Sequence, residues 1–126
     1  MRSKYGNKKA KAGDLVFDSR KERDRYLKLS LLMKAGEISD LRRRVSYELI
    51  PAIYETVEKQ MKTKTKMVQR CAQRAVHYVA DFVYKDKEGN EIVEDVKGSA
   101  KMLTPEFCLK MKLMRHVHGI QIKIYE

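Results

Sequence analysis

Two aspartates and a lysine occur where hydrophobic strands are expected. Tyr78-Val-Ala-Asp81-Phe-Val-Tyr84 and Glu91-Ile-Val-Glu-Asp95-Val-Lys97-Gly98 each read as a β-strand. Strand side chains alternate faces, so Asp95 and Lys97 project to the same side. Glu91 and Val93 share that face, while Ile92, Glu94 and Val96 share the other. In the first strand, alternation places Val79, Asp81 and Val83 on one face. Tyr78, Ala80, Phe82 and Tyr84 fall on the other. A carboxylate among apolar neighbours must be paired, protonated or bound to a cation. Two carboxylates on adjacent strands supply the hard oxygen ligands that Mg²⁺ takes, and a lysine beside the metal can orient or deprotonate an attacking water. The competing reading is an ordinary surface ion pair between Asp95 and Lys97, with Asp81 paired to another lysine.

Glu22 is a third candidate. It lies on a helical stripe with Tyr26, Leu29 and Met33, which Leu27, Leu31 and Leu32 broaden. Ser19-x-x-Glu22 is also a capping box, in which the glutamate hydrogen-bonds back to the helix start. Both roles fit its position. Lys110 and Lys112, on a later helix, fit either a solvated face or contact with a scissile phosphate. His77, His116 and His118 lack the spacing of a ligand set.

The elements that must position these groups follow from pattern. The first thirteen residues read as a flexible basic arm carrying Lys8 and Lys9, ahead of a single domain over residues 14–126. Leu15-Val-Phe17 is a short strand or a staple onto the helix Arg20 to about Lys34, which Asp18-Ser19 caps and Gly36 ends. Ile38 to Leu41 reads as a connector and Arg44 to Ile50 as a strand ending at Pro51. Residues 55–73 show no convincing core face and read as an insertion: a loop, a protruding hairpin or a solvated helix. Strands over 74–84 and 91–97 flank a turn at Gly89-Asn90. Thr104-Pro105 starts a second helix with Phe107, Met111 and Met114 inward and Leu109 and Leu113 beside them. Gly119 ends it, and Ile120 to Tyr125 alternates as a last strand.

Composition narrows the partner. The chain has 126 residues, 28 Lys or Arg against 17 Asp or Glu, and a formal charge of +11. That excess favours polyanions. The basic residues also cluster, in the N-terminal arm and again at Lys59, Lys62, Lys64, Lys66, Arg70 and Arg74. No apolar run approaches a membrane span, and no amphipathic membrane helix accompanies either cluster, so DNA or RNA is preferred over a membrane. Cys71 and Cys108 are too few for a disulfide framework. With no signal-peptide pattern, they read as reduced thiols of a cytosolic protein.

These residues resemble the PD-(D/E)XK nuclease superfamily, whose restriction-endonuclease-like core has the same helix–strand–strand–strand–helix–strand order. Phe17-Asp-Ser-x-x-Glu22, Tyr78-Val-Ala-Asp81-Phe and Val93-Glu-Asp95-Val-Lys97-Gly98 together look like a phage-encoded family of small nucleases related to RecU-type Holliday-junction resolvases. The resemblance runs from about Tyr5 to the C-terminus. It implies an α/β fold and a Mg²⁺-dependent (or Mn²⁺-dependent) endonuclease acting on branched DNA as a homodimer, in a host-cell cytoplasm if phage-encoded. Asp81 and Asp95 would hold metal with Glu22 and the backbone carbonyl of Val96, and Lys97 would be the motif lysine. Ala80 replaces the motif's nominal proline, and Asp95 its more frequent glutamate. Residues 55–73 fall where RecU-type enzymes carry a stalk, so Lys62, Lys64, Lys66 and Arg70 would meet phosphates there. Nicking, flap-cleaving or end-directed nucleases of the same fold, and a non-catalytic basic DNA-binding protein, are the competing expectations.

Overall fold

The computed structural model describes residues 9–98 and 103–126. The elements run β1 (Ala10–Ala12), β2 (Leu15–Phe17), α1 (Arg20–Lys34), β3 (Ser39–Ile50), β4 (Ile53–Gln60), β5 (Thr65–Gln73), β6 (Val76–Lys85), β7 (Glu91–Val96), α2 (Pro105–His118) and β8 (Lys123–Tyr125). A four-stranded mixed sheet of order β3-β6-β7-β8 forms the centre. Its pairs are antiparallel except β7–β8, which is parallel. The protein is therefore α/β, and α1–β3–β6–β7–α2–β8 follows the expected element order.

Each helix covers one face of the sheet. Ser19 caps α1, its Oγ accepting the Glu22 amide at 3.1 Å. Thr104 caps α2 through the Phe107 amide, Pro105 opens the first turn, and Gly119 closes the helix with φ 68°. Phe107 and Met114 of α2 pack with Leu49, Tyr78, Ala80, Val83, Val93 and Ile122. Leu29 of α1 packs with Phe17, Phe82 and Tyr84. Burial of such side chains is worth about 1.5–3 kcal/mol each, so the two clusters carry the fold.

Those clusters overturn the alternation expected for residues 78–84. Tyr78 and Ala80 face α2, but so does Val83, while Phe82 and Tyr84 face α1. Val79 is exposed and shares no face with Val83. The phase changes at Asp81. The facing strand changes phase with it. Arg43 pairs with Phe82 and Val45 with Ala80, so Arg44 stands opposite Asp81 outside the ladder. Arg44 has φ 52°, a left-handed conformation that non-glycine residues rarely take. Strand β7 keeps strict alternation, with Val93 under α2 and Ile92 and Val96 packed under α1.

Other boundaries also differ. Residues 10–12 belong to a β1–β2 hairpin, with Ala10 buried, rather than to a free arm. Lys8 lies outside the described residues, and Lys9 is exposed. Strand β3 starts at Ser39, inside the expected connector. It is the sheet's edge, where Arg42, Arg43 and Arg44 are tolerated and mask the strand signal. Strand β8 begins at Lys123, later than expected. On α1 the buried face is Glu22, Arg25 and Leu29, and Leu27, Leu31 and Met33 are exposed. Leu109 on α2 is exposed as well.

The insertion is a hairpin. Strands β4 and β5 pair only with each other, from Ile53 opposite Gln73 to Gln60 opposite Thr65. Apart from Val57 and Val68, which are half-buried against one another, it buries little, which explains the missing core pattern. Among the described residues no helix is long and apolar enough to cross a membrane.

Candidate metal and phosphodiester site

The site forms where two central strands part. The β6–β7 ladder ends at Phe82 opposite Glu94. One residue further, Asp81 and Asp95 face each other across the opening. Asp81 Oδ2 accepts the Val96 amide at 2.9 Å, so its side chain replaces a ladder bond. Asp95 is 6 % exposed. Its Oδ2 accepts from the Tyr78 hydroxyl at 2.7 Å, and its Oδ1 lies 3.4 Å from Lys97 Nζ. Lys97 Nζ also sits 4.0 Å from the centre of the Phe107 ring, an arrangement that holds an ammonium in place over an aromatic face. Asp95 and Lys97 thus share a face, as alternation requires.

The electrostatics of this fork favour added positive charge. Burial, then the charge of Asp95 and a hydrogen bond with it, push the Asp81 carboxyl well above the usual carboxylate range. Two carboxylates so close cannot both ionise without a counter-charge. Burial, then Asp18, also raises Glu22, against the lowering effect of Arg44 and Arg43. Burial, then Asp95, raises Tyr78, which keeps its proton for the carboxylate.

Glu22 is 5 % exposed, and its Oε1 is buried without a hydrogen-bond partner. The Ser19 hydroxyl makes its half of a capping box, and the Asp18 backbone amide donates to the Glu22 carboxylate, while Oε1 stays without a partner. Glu22 contributes to the raised Asp81 value, so the three acids share one neighbourhood. Among the described residues, however, no three His, Cys, Asp or Glu side chains converge tightly enough to hold a metal. The Asp81–Asp95 pair is close, and the charge of Glu22 reaches Asp81. The donor set, all carboxylate oxygen and one of them unpartnered, fits a hard divalent cation. Val96 is fixed beside it by Asp81 and by pairing with Tyr125.

A buried network on the other face of β7 has no counterpart among the sequence expectations. Glu94 is fully buried and binds Arg25 of α1 through two bonds of 2.5 and 2.9 Å, and its Oε2 accepts from the Tyr84 hydroxyl at 2.7 Å. The Arg25 guanidinium lies 4.1 Å from the Tyr125 ring centre. Arg25 follows Glu22 on α1 by three residues, and Glu94 immediately precedes Asp95. The network therefore fixes α1 against β7 beside the acids. Its one trace in the sequence is polarity: an arginine on an apolar helix stripe and a glutamate between Val93 and Asp95.

Of the expected phosphate contacts, Lys62 and Lys64 lie at the β4–β5 turn, with Lys59 and Lys66 directly opposite each other just below. Like charges placed so are destabilising, so this tip holds cationic density at a cost in stability. Arg70 is tied to Glu55 across the hairpin and is not a free cation. Lys110 pairs with Glu106 at 3.4 Å on α2. Lys112 is exposed and lines a surface groove with Arg115 and His116. Cys71 and Cys108 are free and exposed.

Asp81 makes stability depend on pH. Its raised value means that the folded state favours the protonated form. That stability is present below the unfolded value of 3.8 and is lost as pH climbs through the raised folded value. Without divalent metal, Asp81→Asn should therefore melt above the wild type at about pH 8. The gap should narrow toward pH 4, since each pH unit between the folded and unfolded values corresponds to roughly 1.4 kcal/mol. Melting curves across that range check it; a gap that does not change with pH would mean that Asp81 and Asp95 do not titrate against each other.

Comparison with curated proteins and with solved structures found no match. A family model does match, over residues 2–124, nearly the whole chain. The chain belongs to the family described as "Protein of unknown function (DUF1064)".

Proposed function

We propose that this protein is a Mg²⁺-dependent DNA endonuclease of the PD-(D/E)XK type, acting on branched DNA in the manner of a Holliday-junction resolvase. The observation that carries the reading is the Asp81–Asp95 pair at the strand fork, with Lys97 held 3.4 Å from Asp95. Asp81, Asp95, Glu22 and the Val96 carbonyl would hold the cation. When bound, the cation polarises the phosphodiester and lowers the pKa of a water. Lys97 would orient an attacking water and supply positive charge as the phosphate gains negative charge. Tyr78 holds Asp95 in place through its hydroxyl. The lysines of the β4–β5 tip grip backbone phosphates away from the cut, and Lys9 adds a weaker contact. Paired symmetric cuts across a junction would require a homodimer.

The substrate class is tested with four-way, flap and linear duplex DNA under Mg²⁺. Symmetric paired nicks confined to the four-way junction support the resolvase reading, and equal cleavage of all three contradicts it. Replacing Lys59, Lys62, Lys64 and Lys66 with Gln should weaken junction binding by about tenfold or more. The salt slope should fall by about 0.9 for each lost phosphate contact. Binding isotherms at several salt concentrations check this.

One observation favours a second reading, a non-catalytic DNA-binding protein: among the described residues, Glu22 does not close into a three-ligand cluster with the aspartates. Metal-dependent thermal stabilisation separates the two, because a cation that binds only the folded state raises the melting temperature. No shift with Mg²⁺ or Mn²⁺ would favour the second.

A further inference from the structure

We propose that Arg44 binds the scissile phosphate, leaving its ion pair with Asp18 to contact the non-bridging oxygens of a phosphodiester seated over Asp81 and Asp95. This rests on the nuclease reading and adds to it a residue that the motif does not contain.

Arg44 stands opposite Asp81 at the point where both strands change phase. Its φ of 52° is imposed by the surrounding fold, since an arginine has no preference for that conformation. The effect is to take Arg44 out of the strand's alternation, toward the start of the helix that carries Glu22. There its Nη2 lies 3.1 Å from Asp18 Oδ2, and its charge reaches Glu22.

The neighbouring arginines are committed elsewhere. Arg43 donates to the Val16 carbonyl at 2.9 Å and lies 4.0 Å from the centre of the Phe17 ring. Arg42 bonds Glu91 at 2.9 Å and lies 3.5 Å from Asp40. The ion pair of Arg44 is the most exposed of these: its side chain is 51 % exposed and that of Asp18 57 %. Exposed pairs of this kind contribute little and are readily exchanged.

The chemistry of the site needs such a group. A phosphodiester approaching Asp81, Asp95 and Glu22 meets three acids, and Lys97 is already engaged with one of them. A planar guanidinium donates to two phosphate oxygens at once and stays charged at every working pH. Placed across from Asp81, it draws the anion in and offsets the charge that develops on it during attack.

The test uses two variants of the full chain. Arg44→Gly suits the left-handed backbone and preserves the fold, and Asp18→Asn removes the resting partner. Without divalent metal, four-way junction binding by Arg44→Gly should lose about one unit of salt slope. With Mg²⁺, its single-turnover cleavage should fall about 100-fold, while the Mg²⁺-induced rise in melting temperature is kept. Asp18→Asn should bind and cleave at least as well as the wild type. Two results would overturn the proposal: Arg44→Gly matching the wild type in slope and rate, or Asp18→Asn failing as Arg44→Gly does, which would make the ion pair a structural link. A wild type that cleaves nothing under Mg²⁺ or Mn²⁺ would sink the nuclease reading instead, and the metal-free salt slope would still decide whether Arg44 meets a phosphate.

Discussion

Asp95→Asn should abolish Mg²⁺-dependent cleavage, by at least about 100-fold, while leaving the fold and DNA binding in place. The substitution is nearly isosteric. The new amide oxygen can still accept from the Tyr78 hydroxyl, now 2.7 Å from Oδ2. What disappears is the charge that both a cation and Lys97 need. Lys97, 3.4 Å away, loses its anchor but keeps its position over Phe107. DNA affinity should hold or rise, because one negative charge has left a surface that phosphates would approach on the proposed reading. Gel analysis of labelled junction, with circular dichroism of the same sample, separates lost chemistry from lost structure. Cleavage at the wild-type rate would mean that the hydrolytic centre lies elsewhere.

The largest stability effect belongs to Glu94, on the opposite face of β7 from Asp95. Removing it in Glu94→Ala leaves the Arg25 guanidinium buried with no counter-charge. Breaking a buried pair in this way costs about 3–5 kcal/mol. For a chain of this size that is a fall in melting temperature on the order of 10 °C or more. Tyr84 loses its acceptor too. Glu94→Gln should cost less, since its amide oxygen still accepts one bond. Replacing both partners, as Arg25→Met with Glu94→Leu, should recover much of the stability, because apolar groups of similar volume need no pairing. Calorimetric melting of the three variants checks the order. An additive double variant would mean that the pair contributes little.

The residues behind these two effects differ in how far the sequence announces them. Asp95 and Lys97 are legible because β7 keeps strict alternation from Glu91 onward, and period-2 patterning reads such a strand correctly. Both helix starts are legible because Ser19 and Thr104 do locally what capping residues do. The phase change at Asp81 is not legible. It depends on Arg44 opposite, held at φ 52° by the fold. Nothing in an arginine's own preference announces a left-handed residue in a strand. The Arg25–Glu94 pair is hidden for a related reason: the two are 69 residues apart, and each alone looks like a polar residue on the wrong face. The β4–β5 hairpin is one of three readings the sequence leaves open because it buries almost nothing, and core periodicity is what pattern reading detects.

The same distinction applies to Glu22. Its place on the helix is evident from spacing, and its Ser19 partner from the capping pattern. That Oε1 lies buried and unpartnered is a tertiary fact, and it leaves that oxygen available for the ligand role proposed above. Glu22→Gln should accordingly weaken Mg²⁺ binding with little loss of helix stability, since the Ser19 cap bonds the backbone amide and a glutamine oxygen can still accept from the Asp18 amide. Titration of the melting temperature with Mg²⁺ compares the two proteins directly.

Metal-dependent hydrolysis at the strand fork is tested most simply by incubating a labelled mobile four-way junction with the wild-type protein, with and without Mg²⁺. Strand cleavage is expected only with the metal, and none from Asp81→Asn under the same conditions although it still binds the junction. Cleavage by Asp81→Asn at the wild-type rate, or a wild type that binds the junction and leaves it intact in Mg²⁺ and in Mn²⁺, would contradict it.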